Sequence, residues 1–209
     1  MKQNISLIIA GIFALNYSNS ATAAVSYSQD WTVNNPIPEG NPVGITESQS
    51  ISLVNAPIIS VNVDLNITGG YNGALYGYLV YQDLNGNTVA ETLLNNIGTS
   101  PSNIFGSTGT GMNVTLSDAG TVNGSIHNAP GIPTGLWLPD SNNSLNGTFG
   151  GLNANGTWTL YLADLVSGSG TGTLTSWGLN ITAVPEPSTY GFVAGLCLMA
   201  LPFRKLLKK

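Results

Sequence analysis

Residues 60–68 constrain the fold more than any other part of this chain. Val61, Val63, Leu65 and Ile67 alternate there with Asn62, Asp64 and Asn66. A period of two places the aliphatic side chains on one face of an extended strand and the polar ones on the other. The same period recurs in residues 75–81, which are rich in Tyr, Leu and Val. It recurs again in 157–164, where Trp158, Leu160 and Leu162 alternate with Thr157, Thr159 and Tyr161. In 173–182, Trp177, Leu179 and Ile181 alternate with Ser176, Gly178 and Asn180. Residues 26–33, 50–54, 89–94 and 112–116 carry weaker versions of the pattern. Few segments show a 3.6-residue apolar stripe, so strands rather than helices are the expected building elements.

Turn dipeptides separate these runs. Asn72-Gly73, Asn85-Gly86, Asn123-Gly124, Asn146-Gly147 and Asn155-Gly156 all pair residues that tolerate positive φ. Asn85-Gly86, between Tyr81 and Val89, predicts a hairpin tip. Residues 98–111 and 120–151 are rich in Gly, Ser, Asn and Pro and predict long loops with short strands. Many turns, short strands and no internal repeat predict one all-β domain, an antiparallel β-sandwich.

Charge narrows the partners. Between residues 25 and 184 there is no Lys or Arg. The acids there are Asp30, Glu39, Glu47, Asp64, Asp83, Glu91, Asp118, Asp140 and Asp164. The formal net charge of −5 for the whole chain therefore hides a more acidic body. Such a surface has no footprint for phosphate backbones, so no nucleic-acid partner is expected. It also repels anionic membranes. Neutral glycans, cations and matrix components remain as partners.

All the basic residues sit at the two ends. Lys2 precedes an apolar run over residues 5–15, and Ala21-Thr22-Ala23 follows. That order predicts a signal peptide over residues 1–24, cut after Ala23 or Ala24. At the other end, Pro185-Glu186-Pro187 precedes an apolar run over 190–203, then Arg204, Lys205, Lys208 and Lys209. About 14 helical residues at ~1.5 Å each reach roughly 21 Å, short of a ~30 Å hydrocarbon core. A short transmembrane helix of this kind anchors marginally, with Arg204 and Lys205 as a cytoplasmic stop.

The tail resembles the PEP-CTERM sorting signal of bacteria that export proteins into an extracellular polysaccharide matrix. The resemblance covers residues 184–209 and rests on three parts in order: Val184-Pro185-Glu186-Pro187, the apolar span and the basic end. It implies exosortase as a partner, with Pro185, Glu186 and Pro187 as the processing motif. It also implies transient inner-membrane anchoring, then the cell surface or matrix as the destination.

The body carries a second resemblance. Gly156-Thr157-Trp158-Thr159-Leu160-Tyr161-Leu162-Ala163-Asp164, a Gly-rich loop, then Gly172-Thr173-Leu174-Thr175-Ser176-Trp177-Gly178-Leu179-Asn180-Ile181 is similar to the closing hairpin of P/Homo B domains. Residues 61–67, 71–75 and 146–152 fit the earlier strands and the loop before the last hairpin. The best match spans 37–182, within a domain over 25–183. The resemblance implies a jelly-roll β-sandwich, of the kind that follows subtilisin-like catalytic domains. One departure is Gly73-Ala74-Leu75, where the family usually has Gly-Asp-Leu, so an acid is missing from any inherited cation contact.

Little catalytic chemistry is legible. His127 is the one histidine, and no Gly-x-Ser-x-Gly elbow frames a serine. A catalytic His127 is therefore disfavoured, and a solvated loop histidine is expected. The one cysteine, Cys197, lies in the apolar tail, which leaves no thiolate for a zinc site in the body. The nine acids are enough for a glycosidase pair, but no two share a motif. Calcium is the one ion left open, with Asp83 and Asp164 as candidate ligands. The preferred readings are a hairpin turn at Asp83 and loop N–H acceptance at Asp164. No cofactor is expected. Trp158 and Trp177 have core parity, whereas Trp137 is the expected exposed tryptophan, able to stack on a sugar beside Asp140 and Asn142.

The sequence thus predicts a non-enzymatic, exported structural or adhesive protein of the matrix or cell surface. One alternative is a glycan-binding module that uses loop aromatics. Another is an accessory P domain acting with a separate subtilisin-like protease. A binding module would show an exposed Trp beside polar groups in a groove; an enzyme, two carboxylates across a cleft; a scaffold, neither.

Overall fold

The computed structural model describes residues 23–52, 55–141 and 143–185. Nine strands build it: β1 (Val25–Ile37), β2 (Asn41–Ile51), β3 (Ile58–Tyr71), β4 (Leu75–Gln82), β5 (Thr88–Asn95), β6 (Thr110–Leu116), β7 (Thr134–Trp137), β8 (Gly156–Asp164) and β9 (Gly172–Ala183). One short helix, α1 (Leu145–Phe149), lies between β7 and β8. The strands form two sheets, in the orders β1-β9-β3-β6-β7 and β2-β8-β4-β5. The chain crosses between the sheets at almost every connection, which makes a β-sandwich with jelly-roll strand order and β7 added at one edge.

The core lies where the period-two runs face each other. From the first sheet come Val61, Val63, Leu65, Ile67, Leu174, Trp177, Leu179 and Ile181; from the second come Leu75, Leu79, Tyr81, Trp158, Leu160 and Leu162, all buried. Trp158 packs between Tyr81 and Phe149, with ring centroids 4.7 and 5.1 Å away. Trp177 packs against Trp31, directly opposite it on β1, at 4.8 Å. Leu174 and Trp177 are three residues apart yet both face inward. A bulge explains this, because Thr175 has no partner on β1 or β3 between the pairs of Leu174 and Ser176. One extra residue flips the parity of the strand.

Three expectations need correction. The sandwich is not wholly antiparallel, because β7 runs parallel to β6, from Asn113–Thr134 to Leu116–Trp137. The intervening chain is long enough for a crossover and uses two 3-10 turns, at Gly120–Val122 and Ile126–Asn128. Second, Asn146-Gly147 is not a turn but the middle of α1. Ser144 accepts the Gly147 N–H at 2.9 Å, while the Asp118 carboxylate accepts the N–H groups of Leu145 and Asn146 at 3.0 and 2.8 Å. Two acceptors at the helix start, together with buried Leu145 and Phe149, override the turn preference. Third, the strand expected over 50–54 is the tail of the longer β2, of which only Ser50 and Ile51 fall in that window. Its central residues Thr46, Glu47, Ser48 and Gln49 are polar because β2 is an edge strand, where polar residues protect against edge-to-edge pairing.

The helix expected over 190–203, Arg204 and Lys205 lie outside the described residues, as do Glu186 and Pro187. Among the described residues no helix is long and apolar enough to cross a membrane.

Candidate functional site

The C-terminal exit is built by the last strand. Ala183 is buried and lies between Val25 of β1 and Ile58 of β3. The Val184 N–H then donates to the Pro57 carbonyl at 3.1 Å. Pro185, the first residue of the Pro-Glu-Pro motif, lines a cleft with Asn55, Ala56, Pro57, Gly151 and Asn153. The N-terminal strand begins at Val25, one residue after Ala24, and pairs with Ala183. Ala23 and Ala24 precede it and are exposed. The first and last strands therefore bring Val25 and Ala183 side by side.

The loop expected to hold a sugar is arranged differently. Trp137 is half-buried, packs against the core and donates its indole N–H to the Thr134 carbonyl at 2.9 Å. It is the last residue of β7 rather than a free loop aromatic. Asp140 is likewise engaged: Oδ2 lies 2.7 Å from His127 Nδ1 and 3.2 Å from the Asn95 N–H. Asn142 lies outside the described residues. Trp137 and Asp140 thus both make contacts that serve the fold and are half-buried rather than free on a loop.

His127 is not a solvated loop histidine. Nδ1 faces the Asp140 carboxylate and Nε2 faces the Thr99 carbonyl at 3.0 Å. Two acceptors on the two ring nitrogens call for two N–H donors, which only the imidazolium supplies. The Asp140 hydrogen bond, above all, raises the His127 pKa above its ordinary value, against the opposing effect of burial. The ring thereby clips the turn at Ile126–Asn128 to the loop after β5.

The two calcium candidates hold turns. Asp83 Oδ1 accepts the N–H groups of Asn85 and Asn87 at 2.8 Å each, and Oδ2 accepts the Asn87 side-chain amide at 2.8 Å. The Asn87 side chain, first among these bonds, lowers the Asp83 pKa. Asp164 is fully buried; Oδ1 accepts the Val166 N–H at 2.9 Å and Oδ2 accepts the Ser169 hydroxyl at 2.5 Å. Ala74, in the Gly73-Ala74-Leu75 stretch, is buried. Among the described residues no three His, Cys, Asp or Glu side chains gather as metal ligands.

Two carboxylates do flank one cleft. Asp30 and Asp64 are paired with Gly178 from its two sides, and both line a shallow cleft of about 250 Å³ on the outer face of the first sheet. The Asp30 carboxylate lies over Gly178, in the space that a Cβ there would take. Asp64 has a structural use, because Oδ1 accepts the Thr115 hydroxyl and Oδ2 accepts the Asn180 amide at 2.5 Å. These bonds tie β6 and β9 to β3 across the outer face.

No protein-family model and no curated protein matches the chain. Solved structures give distant likenesses. A serine protease of Aeromonas sobria, in crystals with its chaperone, is 17% identical over 78% of this chain and 27% of that one, with a TM-score of 0.47. The VP2 subviral particle of infectious bursal disease virus is 12% identical over 77% and 33%, with a TM-score of 0.41. The chain spans about a quarter to a third of these longer proteins. At these scores the likenesses carry no argument, and the fold stands on its own sheet topology.

Two features escaped the sequence reading. The His127–Asp140 pair joins residues 13 apart across an irregular stretch, where no period marks direction. The outward tyrosines of β4 and β8 were visible as alternation, but alternation alone does not show that two strands bring them together.

Proposed function

We propose that this chain is an exported, exosortase-processed structural or adhesive component of the extracellular matrix or cell surface, built on a P-domain-like jelly roll. The observation that carries this reading is the placement of the folded domain between its two signals. Its terminal strands pair Val25 with Ala183. A cut after Ala24 falls just before β1, and a cut at Pro185-Glu186-Pro187 falls just after β9. Neither cut removes a core residue, so processing at both ends leaves the described fold whole. The basic cluster Arg204, Lys205, Lys208 and Lys209 directly after the apolar run supports the same reading, because Lys and Arg that flank a membrane span stay on the cytoplasmic side and leave the body outside. The adhesive part of the reading rests on the resemblances and on a surface rich in hydroxyl and amide groups. Fractionation of the producing cells into cytoplasm, inner membrane, matrix and medium tests it. The matrix or surface fraction is expected to hold most of the protein; a predominantly cytoplasmic protein overturns the reading.

A further inference from the structure

We propose that the outer face of the β2-β8-β4-β5 sheet binds an uncharged glycan through Tyr76, Tyr78 and Tyr161. The starting observation is that these rings do no work in the core. On β4, Leu75, Leu79 and Tyr81 point inward, so Tyr76 and Tyr78 point outward and are half-buried. Tyr161 on β8 lies directly opposite Tyr78. The two rings stack with centroids 4.5 Å apart and planes 24° apart, and Tyr76 meets them edge-on at 6.0 and 6.5 Å. The Tyr161 hydroxyl donates to the Pro42 carbonyl, which holds the stack in place. A rigid aromatic cluster loses little freedom when it binds.

A cleft of about 440 Å³ opens beside the cluster, lined by Tyr76, Tyr78, Ala90, Glu91, Thr92 and Asn143. That volume falls in the ~300–1,000 Å³ range of small-ligand sites, and aromatic walls with a few polar groups are their usual lining. Beyond the rings the face continues in hydroxyls: Ser48 bonds Thr159 at 2.8 Å and Ser50 bonds Thr157 at 3.2 Å. Ring faces suit the C–H surface of a pyranose, and hydroxyls and amides suit its rim.

Charge selects the occupant. With no Lys or Arg between residues 25 and 184 and nine acids there, an anionic polymer is repelled. A second copy of the same acidic domain is repelled too. A cationic partner would need an available carboxylate in the cleft. Glu91 does not provide one: it is buried, Oε2 accepts the Thr148 hydroxyl and Oε1 accepts the Thr92 N–H at 3.2 Å. A neutral sugar chain is the occupant that fits. This inference goes beyond the matrix reading and does not depend on export.

The test is calorimetric titration of the full chain, kept in a polyoxyethylene detergent with no sugar headgroup. The probes are cellohexaose, maltohexaose, xylohexaose and mannohexaose, with an alginate hexasaccharide as the anionic counterpart. Saturable binding of at least one neutral probe is expected, with none of alginate. Tyr78→Ala is expected to weaken that binding at least tenfold. Because the stack also supports the sheet, Ala90→Trp is the second variant: Ala90 is exposed, and the new ring fills the cleft while leaving all three tyrosines. It too is expected to weaken binding at least tenfold, with the thermal midpoint unchanged. Absence of binding to every neutral probe overturns the proposal. So does equal binding of alginate, or binding unaltered in Ala90→Trp. A concentration-dependent dimer that Ala90→Trp dissolves would also overturn it, by making the face a contact between copies. Each of these failures leaves the export reading standing, since fractionation tests that separately.

Discussion

His127 Nδ1 and Asp140 Oδ2 lie 2.7 Å apart, and they form the one ion pair found among the described residues. The side chains are 28% and 15% exposed, so the pair is sheltered but not sealed from water. Its hydrogen bond raises the His127 pKa above the ordinary histidine value. A raised histidine pKa stabilises the fold fully below the unfolded value and loses that contribution as pH climbs through the folded value. The thermal midpoint is therefore expected to fall by ~2–4 °C as pH rises from about 6 through the raised value, for a partly exposed pair worth up to ~1 kcal/mol. His127→Gln should flatten this part of the profile. An unchanged slope in that variant would show that the pair does not titrate with folding.

Trp158 tests the core. It is fully buried between Tyr81 and Phe149. Trp158→Ala is expected to cost about 3–5 kcal/mol, which is a drop of roughly 6–20 °C in a domain of this size. Its indole N–H is buried without a hydrogen-bond partner among the protein atoms. Trp158→Phe removes that donor along with part of the ring, so it should cost less than half as much. Thermal melts of the two variants check both statements, and equal losses would contradict the second.

Where the apolar period was strong, the sequence was legible down to single side chains. Val61, Val63, Leu65 and Ile67 are all buried, as their alternation requires, and Asp164 accepts the Val166 N–H as expected. Legibility ended where long-range contacts decide. The turn preference of Asn146-Gly147 is overridden by Asp118, 28 residues from Asn146 in the chain. Trp137, placed by composition in an exposed loop, belongs to β7 because its backbone finds β6. No local pattern encodes either partnership. Glu186, Pro187, Asn142, Arg204 and Lys205 lie beyond the described residues, so the processing motif is read from sequence alone.

Gly120 marks how closely β7 docks. A Cβ there would overlap the Trp137 carbonyl carbon and the Leu138 nitrogen, both backbone atoms. Gly120→Ala must push β7 off its neighbour, and about 1–3 kcal/mol of destabilisation is expected. Hydrogen exchange should speed up at the Ser117 N–H, which donates to the Trp137 carbonyl at 2.9 Å. Unaltered protection at that amide would show that the strand absorbs the extra carbon without moving.

Asp164 is the buried acid that shapes the last loop. Asp164→Ala leaves the Val166 N–H and the Ser169 hydroxyl without this acceptor. The expected loss is about 1–3 kcal/mol, since unmet buried donors carry a desolvation cost. Ser169 has a second partner in the Val166 carbonyl at 2.7 Å, which places the cost mainly on the Val166 amide. A denaturant melt measures the total, and a stability equal to the parent would contradict this role.

The proposal that the domain is exported and trimmed at both ends is tested most directly by the intact mass of the protein recovered outside the cells. The expected species starts near Val25 and ends within or shortly after Pro185-Glu186-Pro187, with Arg204 and Lys205 absent. Recovery of the full 209-residue chain as the main species, still held in the inner membrane, would contradict it.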